Sequence, residues 1–259
     1  MAVSGLNVRL ENGIRFFLYV LAFWLPYSPA VVEVCVIVSI ILWIIKRVVS
    51  MDLNKFLNSS LRLKILYIFE SFRMPRSPIN QPAAWFVLIA FLSVFGSVFF
   101  LDSLSNFVTK TLEWFAIYFL VLETFTARKH FIILFMVMMV TAFSTALDSF
   151  YQYYVSYKDI FLGHKILPGG RATAAFTTPN GLAAFLSLLI PVFLGGVAFS
   201  GKDFFRKAMY FLFIMSMLWA LLITQSRGGW AGLILGGGLG MAALFFFKKK
   251  RIHFLLRVL

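Results

Sequence analysis

Long apolar runs separated by short polar or basic segments make up most of the chain. A helix crosses the hydrocarbon layer with about 20 such residues. Ile14–Leu25 and Ala30–Ile45 form a first pair, broken by Pro26-Tyr27-Ser28-Pro29, a sequence that predicts a tight turn at one membrane face. The first member is short and must borrow flanking residues or thin the bilayer locally. A cleaved signal peptide does not fit, because no small-x-small site follows and a second span comes directly after. Further runs at Ala83–Leu101, Leu112–Phe125, Phe131–Leu147, Gly181–Ser200, Ala208–Thr224 and Gly228–Phe247 bring the expected count to eight. Ile252–Leu259 reads as the start of a ninth. The expected fold is an all-α, polytopic transmembrane helix bundle: a single domain over 1–259, incomplete at its C-terminal end.

Composition agrees. The 259 residues are 61% hydrophobic and 13% charged, with a mean hydropathy of +0.90. A soluble globular domain would be about half apolar and about a quarter charged. Disorder is excluded too, since 32 Phe, 9 Tyr and 6 Trp are too much apolar surface to leave in water. A net charge of +14 first suggests a polyanion partner. The positions of the basic residues change that. With the N-terminus in the cytoplasm and the runs alternating sides, the inner segments hold 18 of the 24 Lys and Arg. These are Arg9, Arg15, Lys46, Arg47, Lys55, Arg62, Lys64, Arg73, Arg76, Arg128, Lys129, Lys202, Arg206, Lys207, Lys248, Lys249, Lys250 and Arg251. The outer segments hold Lys110, Lys158, Lys165, Arg171 and Arg227, and Arg257 lies in the unfinished tail. This bias follows the positive-inside rule, so nucleic acid loses its support as a partner. The inner loop Lys46–Pro82 is a solvated loop or a contact for anionic lipid headgroups. Cys35, alone and in an apolar run, pairs with no other cysteine of the chain.

Two outer arginines depart from the topological pattern. Arg171 lies in the outer loop 148–180, within Pro168-Gly-Gly-Arg-Ala-Thr-Ala-Ala-Phe-Thr-Thr-Pro-Asn180. Arg227 lies in Thr224-Gln-Ser-Arg-Gly-Gly-Trp230, where the seventh run turns back into the eighth. Asn180 is the expected N-cap of the sixth span and Ser226 that of the eighth, with Gly228 beside it. Helix N-termini carry bare N–H groups and about half a positive charge. Two such ends and two guanidinium groups on one face predict an anion site, with a diphosphate as the natural guest. The competing reading has each arginine snorkelling to the interface or pairing with a carboxylate such as Asp148. Gly228, Gly232, Gly236 and Gly240 form a stripe that reads as close helix packing rather than a conduit. Pro191 should kink the sixth span. Tyr151, Tyr153, Tyr154 and Tyr157 read as interfacial anchors before sugar-stacking platforms. Asp148 and Glu33 lie toward the outside, and Asp148 reads as solvated or ion-paired rather than catalytic. His164 is an outer loop residue, while His130 and His253 fall on the inner side. No outward Asp, Glu, His and Cys cluster has metal-ligand spacing, so no metal and no cofactor is expected.

The Gly170-Arg-x4-Phe-x2-Pro-Asn180 stretch, followed by Ser226-Arg227-Gly228 at an outer helix junction, resembles the O-antigen ligase and O-antigen polymerase superfamily. The early turn Leu25-Pro-Tyr-Ser-Pro29 is similar to that family's first hairpin. The resemblance implies a membrane-embedded, metal-independent, inverting glycosyltransferase of the bacterial inner membrane, active on the periplasmic side. Its donor would be a glycan on undecaprenyl diphosphate, its acceptor lipid A core or another glycan, and its surroundings membrane lipids. Arg171 and Arg227 would engage the donor diphosphate. Family members continue into a large outer loop that carries a histidine activating the acceptor, and this sequence ends before any such loop; His164 does not occupy that position. A lipid-linked glycan flippase or transporter and an inactive truncated scaffold are the alternatives from other classes. Charges at span ends rather than centres, and the lack of a repeat, count against transport.

Overall fold

The computed structural model describes residues 2–51, 60, 63–64, 67, 75–167, 169–199 and 204–247. The expected ninth segment Ile252–Leu259, with His253 and Arg257, lies outside them, as do Pro168 and the basic residues Lys55, Arg62, Arg73, Lys202, Lys248, Lys249, Lys250 and Arg251. The protein is all-helical. Among the described residues there is no strand, only two isolated bridges, Lys158 with Lys165 and Leu167 with Arg171. The helices are α1 Ala2–Trp24, α2 Pro29–Ser50, α3 Asn80–Phe95, α4 Phe100–Asn106, α5 Glu113–Thr124, α6 Arg128–Tyr151, α7 Pro179–Phe199, α8 Phe204–Thr224 and α9 Arg227–Phe247. Two π-helical turns, Phe107–Leu112 and Gln152–Ser156, continue α4 into α5 and extend α6.

Four of the helical segments are long and apolar enough to cross a membrane: Pro29–Ser50, Arg128–Ser156, Pro179–Val197 and Lys207–Thr224. Their outward faces agree, since Leu188 and Phe211 stand exposed on helices whose other faces are buried. The expected third span, Ala83–Leu101, is not one helix. α3 ends at Phe95, the chain bends over Gly96–Phe99, and Phe100 and Leu101 already belong to α4. The apolar run hid that turn because Val98 and Phe99 are as hydrophobic as the helices beside them. The following polar stretch, Asp102 to Lys110, reads as a loop by hydropathy yet is helical throughout. Ser97 helps set the restart, its Oγ accepting the Phe99 N–H at 3.2 Å and pairing with Ser103 Oγ at 2.6 Å.

The chain forms two compact units, Met1–Leu21 with Ala30–His130, and Ala22–Pro29 with Phe131–Leu259. In the first unit a charged network ties α1, α2 and α5 together. Glu123 on α5 takes Lys46 Nζ at 2.8 Å, Arg47 Nη2 at 2.5 Å and Trp43 Nε1 at 2.7 Å. Glu11 on α1 takes Arg15 at 2.7 Å and Lys46 at 2.8 Å. Arg15 Nε also donates to the Thr124 carbonyl at 2.8 Å, satisfying one of the acceptors bared at the end of α5. These side chains are well shielded from solvent, so each depends on its counter-charge.

The second unit is built on small residues and interlocked apolar ones. Met139, Ala142 and Ala146 of α6 meet Leu182, Ala183, Leu186, Leu189, Ile190 and Phe193 of α7, and Ile214, Met217, Ala220 and Leu221 of α8. The spacing of three and four places each set on one helical face. The close approach on α9 is made by Gly229, beside the expected stripe, and not by the stripe: Gly228 would meet nothing within 4 Å and Gly232 only Ser187 Oγ at 3.8 Å. A Cβ on Gly229 would sit 2.7 Å from Ala183 Cβ and 3.0 Å from Leu221 Cδ1, so α9 touches α7 there because the side chain is absent. Gly236 and Gly240 would meet nothing within 4 Å. Pro191 lies inside α7. Tyr27, buried in the turn between α1 and α2, stacks on Phe161 with ring centroids 4.3 Å apart. Its hydroxyl pairs with Ser144 Oγ and, at 3.2 Å, Thr145 Oγ1. Burial pushes the Tyr27 phenol above its ordinary range, which keeps it a neutral donor.

Replacing Gly229 with Ala should therefore loosen the α7–α9 contact and lower stability by about 1–3 kcal/mol, while Gly236→Ala is neutral, as read by denaturation in detergent. Glu123→Gln removes the carboxylate that Lys46 and Arg47 share, leaves Lys46 to Glu11, and should cost about 2–3 kcal/mol in the same assay.

Candidate functional site

The seventh-to-eighth turn and the end of the outer loop meet in the second unit. Arg171 follows a tight turn in which Gly169 and Gly170 take φ of +86° and +71°, the left-handed region glycine tolerates. The turn is closed by Leu167 N–H to the Arg171 carbonyl at 3.3 Å. The next residue, Ala172, gives its N–H to the Ile223 carbonyl at 3.1 Å, docking the segment on the end of α8. The guanidinium then reaches across that end: Nε donates to the Thr224 carbonyl at 3.0 Å, and Nη2 to Asn180 Oδ1 at 3.2 Å. A guanidinium has five N–H groups, so three remain free of these contacts.

The caps differ from expectation in one case. Thr178, not Asn180, caps α7: Thr178 Oγ1 accepts the Gly181 N–H at 3.1 Å, and Pro179 takes the first helical position, where its missing N–H costs nothing. Asn180 sits one residue inside the helix, and its Oδ1 instead receives Ser226 Oγ at 3.0 Å together with Arg171. Ser226 caps α9, its Oγ accepting the Gly229 N–H at 3.2 Å. Hydrogen bonds thus run from Gly229 to Ser226 to Asn180, where Arg171 also arrives. They join the N-terminal ends of α7 and α9. Gln225, at φ +52°, turns the chain between α8 and α9 and sends Nε2 to the Gly169 carbonyl at 3.3 Å.

Arg227 stands at the first position of α9, exposed, and makes no side-chain hydrogen bond or ion pair among the described residues. Gly228 is exposed beside it. An open groove of about 720 Å³ runs between α7 and α9. Asn180, Ser226 and Gly228 line its polar part, and Leu188, Pro191, Gly232 and Gly236 its apolar part. A polar head with two helix N-termini over an apolar channel suits an amphiphile with an anionic head. Asp148 does not pair with either arginine among the described contacts. It is buried, and its Oδ1 accepts the Ile160 N–H at 2.7 Å.

Sequence reading missed three features. The segment 148–180 expected as an outer loop begins as helix, because α6 and its π-helical extension carry on to Ser156. Tyr151, Tyr153 and Tyr154 are consequently helical, and Tyr154 Oη accepts Trp219 Nε1 at 3.2 Å. Asp159 organises the loop that follows, its carboxylate taking the N–H groups of Phe161 at 2.9 Å, Leu162 at 2.6 Å and His164. The His164 ring lies beside it, Nδ1 at 3.8 Å from Oδ2. Gln152, buried in the π-helical turn, is bonded to both loop segments. An isolated Asp in a loop, or an isolated Gln on a helix, carries no sequence signal of such a role. No group of three or more His, Cys, Asp or Glu able to hold a metal occurs among the described residues.

Comparison with known proteins identifies no relative: no family model matches the chain, and neither the curated proteins nor the solved structures give a significant match.

Ser226→Ala removes both the α9 cap and a bond to Asn180. It should cost about 1 kcal/mol and speed hydrogen exchange at the Gly228–Trp230 amides, while Ser226→Thr retains most of the protection.

Proposed function

We propose that the chain is a membrane-embedded glycosyltransferase of the O-antigen ligase type, moving a glycan from undecaprenyl diphosphate to lipid A core or another glycan. The observation that carries this reading is the junction of Arg171, Asn180 and Ser226 at two helix N-termini, with an unpaired Arg227 beside it and an open groove below. The donor diphosphate rests against the free N–H groups of Arg171 and the guanidinium of Arg227. The polyprenyl tail lies along the groove between α7 and α9. The resemblance of the Gly170–Asn180 and Ser226–Gly228 motifs supports the same assignment.

In this reading about eight segments cross the bacterial inner membrane with the N-terminus in the cytoplasm, so the arginine pair faces the periplasm. The 18-to-5 division of basic residues supports that orientation. A hydroxyl of the acceptor attacks the anomeric carbon from the face opposite the diphosphate. The new C–O bond forms as the bond to the diphosphate breaks, the configuration inverts, and the hydroxyl proton is released. Negative charge grows on the diphosphate oxygens during that step. Guanidinium groups fixed there stabilise the charge as it develops, which lowers the barrier directly. Arginine suits the role because its planar fork holds two phosphate oxygens at once and its charge does not titrate away.

Arg227→Lys tests the reading cleanly, since Arg227 makes no described contact whose loss would unfold the chain. Transfer of a glycan from undecaprenyl diphosphate should fall by about 100-fold with membrane insertion unchanged. Near-normal transfer would refute the diphosphate role. Movement of the intact lipid-linked glycan across a vesicle membrane without bond cleavage would point to a transporter instead.

A further inference from the structure

Arg171 can act on a diphosphate only if the segment that carries it is held still. Its side-chain bonds to Thr224 and Asn180 fix the guanidinium against the helix ends, but they do not fix the backbone that follows. Ala172 has one tie, to Ile223. Beyond it, Ala174 takes φ +47°, a left-handed conformation that a residue with a Cβ disfavours, and it does so fully buried. Left to its own preferences this stretch would relax, and the slack would reach Arg171 three residues away.

The group that opposes this is Gln152. It is completely buried, at the first position of the π-helical turn Gln152–Ser156. Its Oε1 accepts the N–H groups of Thr173 at 2.8 Å and Ala174 at 2.9 Å. Its Nε2 donates to the His164 carbonyl at 2.9 Å and to Thr173 Oγ1 at 3.0 Å. A primary amide has two donor hydrogens and two acceptor lone pairs, and all four are used. Full use matters because a buried amide with a missing partner is destabilising, so the four contacts are favoured together rather than singly. Glutamate has the acceptors without the donors, and asparagine is one methylene short of the reach.

Two distant pieces of the outer loop are thereby tied to one rigid helix. The His164 end is itself held, because Asp159 N–H donates to the same His164 carbonyl at 3.0 Å and the Asp159 carboxylate gathers three N–H groups of residues 161–164. The Thr173–Ala174 end leads straight into Arg171. π-Helical turns of this kind are frequent at functional sites.

We propose that Gln152 is a positioning residue for Arg171, holding the Arg171–Ala174 segment so that the free N–H groups of the guanidinium meet the diphosphate. The inference rests on the diphosphate reading of the Arg171–Arg227 site. Gln152 touches no reacting atom; it acts through Arg171.

A double-mutant cycle on the full chain in lipid nanodiscs tests it, with affinity for undecaprenyl diphosphate as the readout and undecaprenol as the control for tail binding. Arg171→Ala and Gln152→Ala should each weaken diphosphate binding by about tenfold, and the double variant should bind no more weakly than Arg171→Ala alone. A merely structural glutamine would impose its loss in both backgrounds, so losses that multiply overturn the proposal. So does a Gln152→Ala variant that binds like the wild type. Wild-type affinity in Arg171→Ala brings down the diphosphate reading itself, and the positioning role with it. Should Gln152→Ala fail to fold, Gln152→Glu decides the matter. A protonated carboxyl can donate to the His164 carbonyl and an ionised one cannot. Relative to wild type at the same pH, Gln152→Glu should therefore regain binding by about tenfold between about pH 8 and about pH 5, with no such gain when Arg171 is also Ala. A gain of equal size in both backgrounds, or none in either, overturns the proposal.

Discussion

The hydrogen bond from Arg171 Nε to the Thr224 carbonyl joins two stretches of chain 53 residues apart, and the candidate site depends on it. Thr224 is the last residue of α8, where carbonyls have run out of helical partners. Close to a membrane such acceptors need a partner from the protein or from the interface. A guanidinium answers that need with one N–H and keeps others for a ligand. The same side chain thus closes a helix end and, in the proposed site, has N–H groups left to meet an anion. Asn180 and Ser226 extend the network: Asn180 Oδ1 accepts from the Arg171 guanidinium and the Ser226 hydroxyl, and Ser226 Oγ accepts the Gly229 N–H, so the beginnings of α7 and α9 are tied together.

Charge plays a different part in the first unit. Arg15, Lys46 and Arg47 belong to the basic set expected on the inner side, but they are also partners of Glu11 and Glu123. Positive-inside counting treats such residues as independent points. Here three of them share two carboxylates, one of which also accepts the Trp43 N–H, and Arg15 in addition holds the Thr124 carbonyl. A cation so paired contributes to helix association, whereas the exposed Arg227 makes no such contact among the described residues.

Much of the fold was legible because hydrophobic runs and helices share boundaries where Pro and Gly punctuate them, as at Pro26–Pro29. Legibility failed where the punctuation was itself apolar. Nothing in Val98 and Phe99 marks a bend, and nothing in Asp102–Lys110 reveals that its polar residues ride on a helix. The site shows the same division. Ser226 lies directly before a glycine-rich helix start and has one short-range task, so its capping role could be read from its neighbours. Asn180 has the composition of a cap, but Pro179 claims the first helical position and hands the cap to Thr178. Gln152 was invisible, because its partners Thr173 and Ala174 lie 21 and 22 residues away and a lone Gln in an apolar helix has no periodic signature.

The two arginines are not equivalent. Arg171 is half-spent on structure and held by contacts on α7, α8 and its own turn, so ordering it around an anion costs little additional side-chain entropy. Arg227 is exposed and unpaired, at the positive end of a helix, free to swing onto a ligand once one arrives. In the proposed site the fixed donor sets where the diphosphate rests, and the exposed one completes its neutralisation. Two fixed arginines would repel each other across an empty site, while two mobile ones would leave the anion position undefined. One of each avoids both difficulties, and the difference follows from position: Arg171 ends a turn folded back on a helix terminus, and Arg227 begins a helix whose cap is already supplied by Ser226.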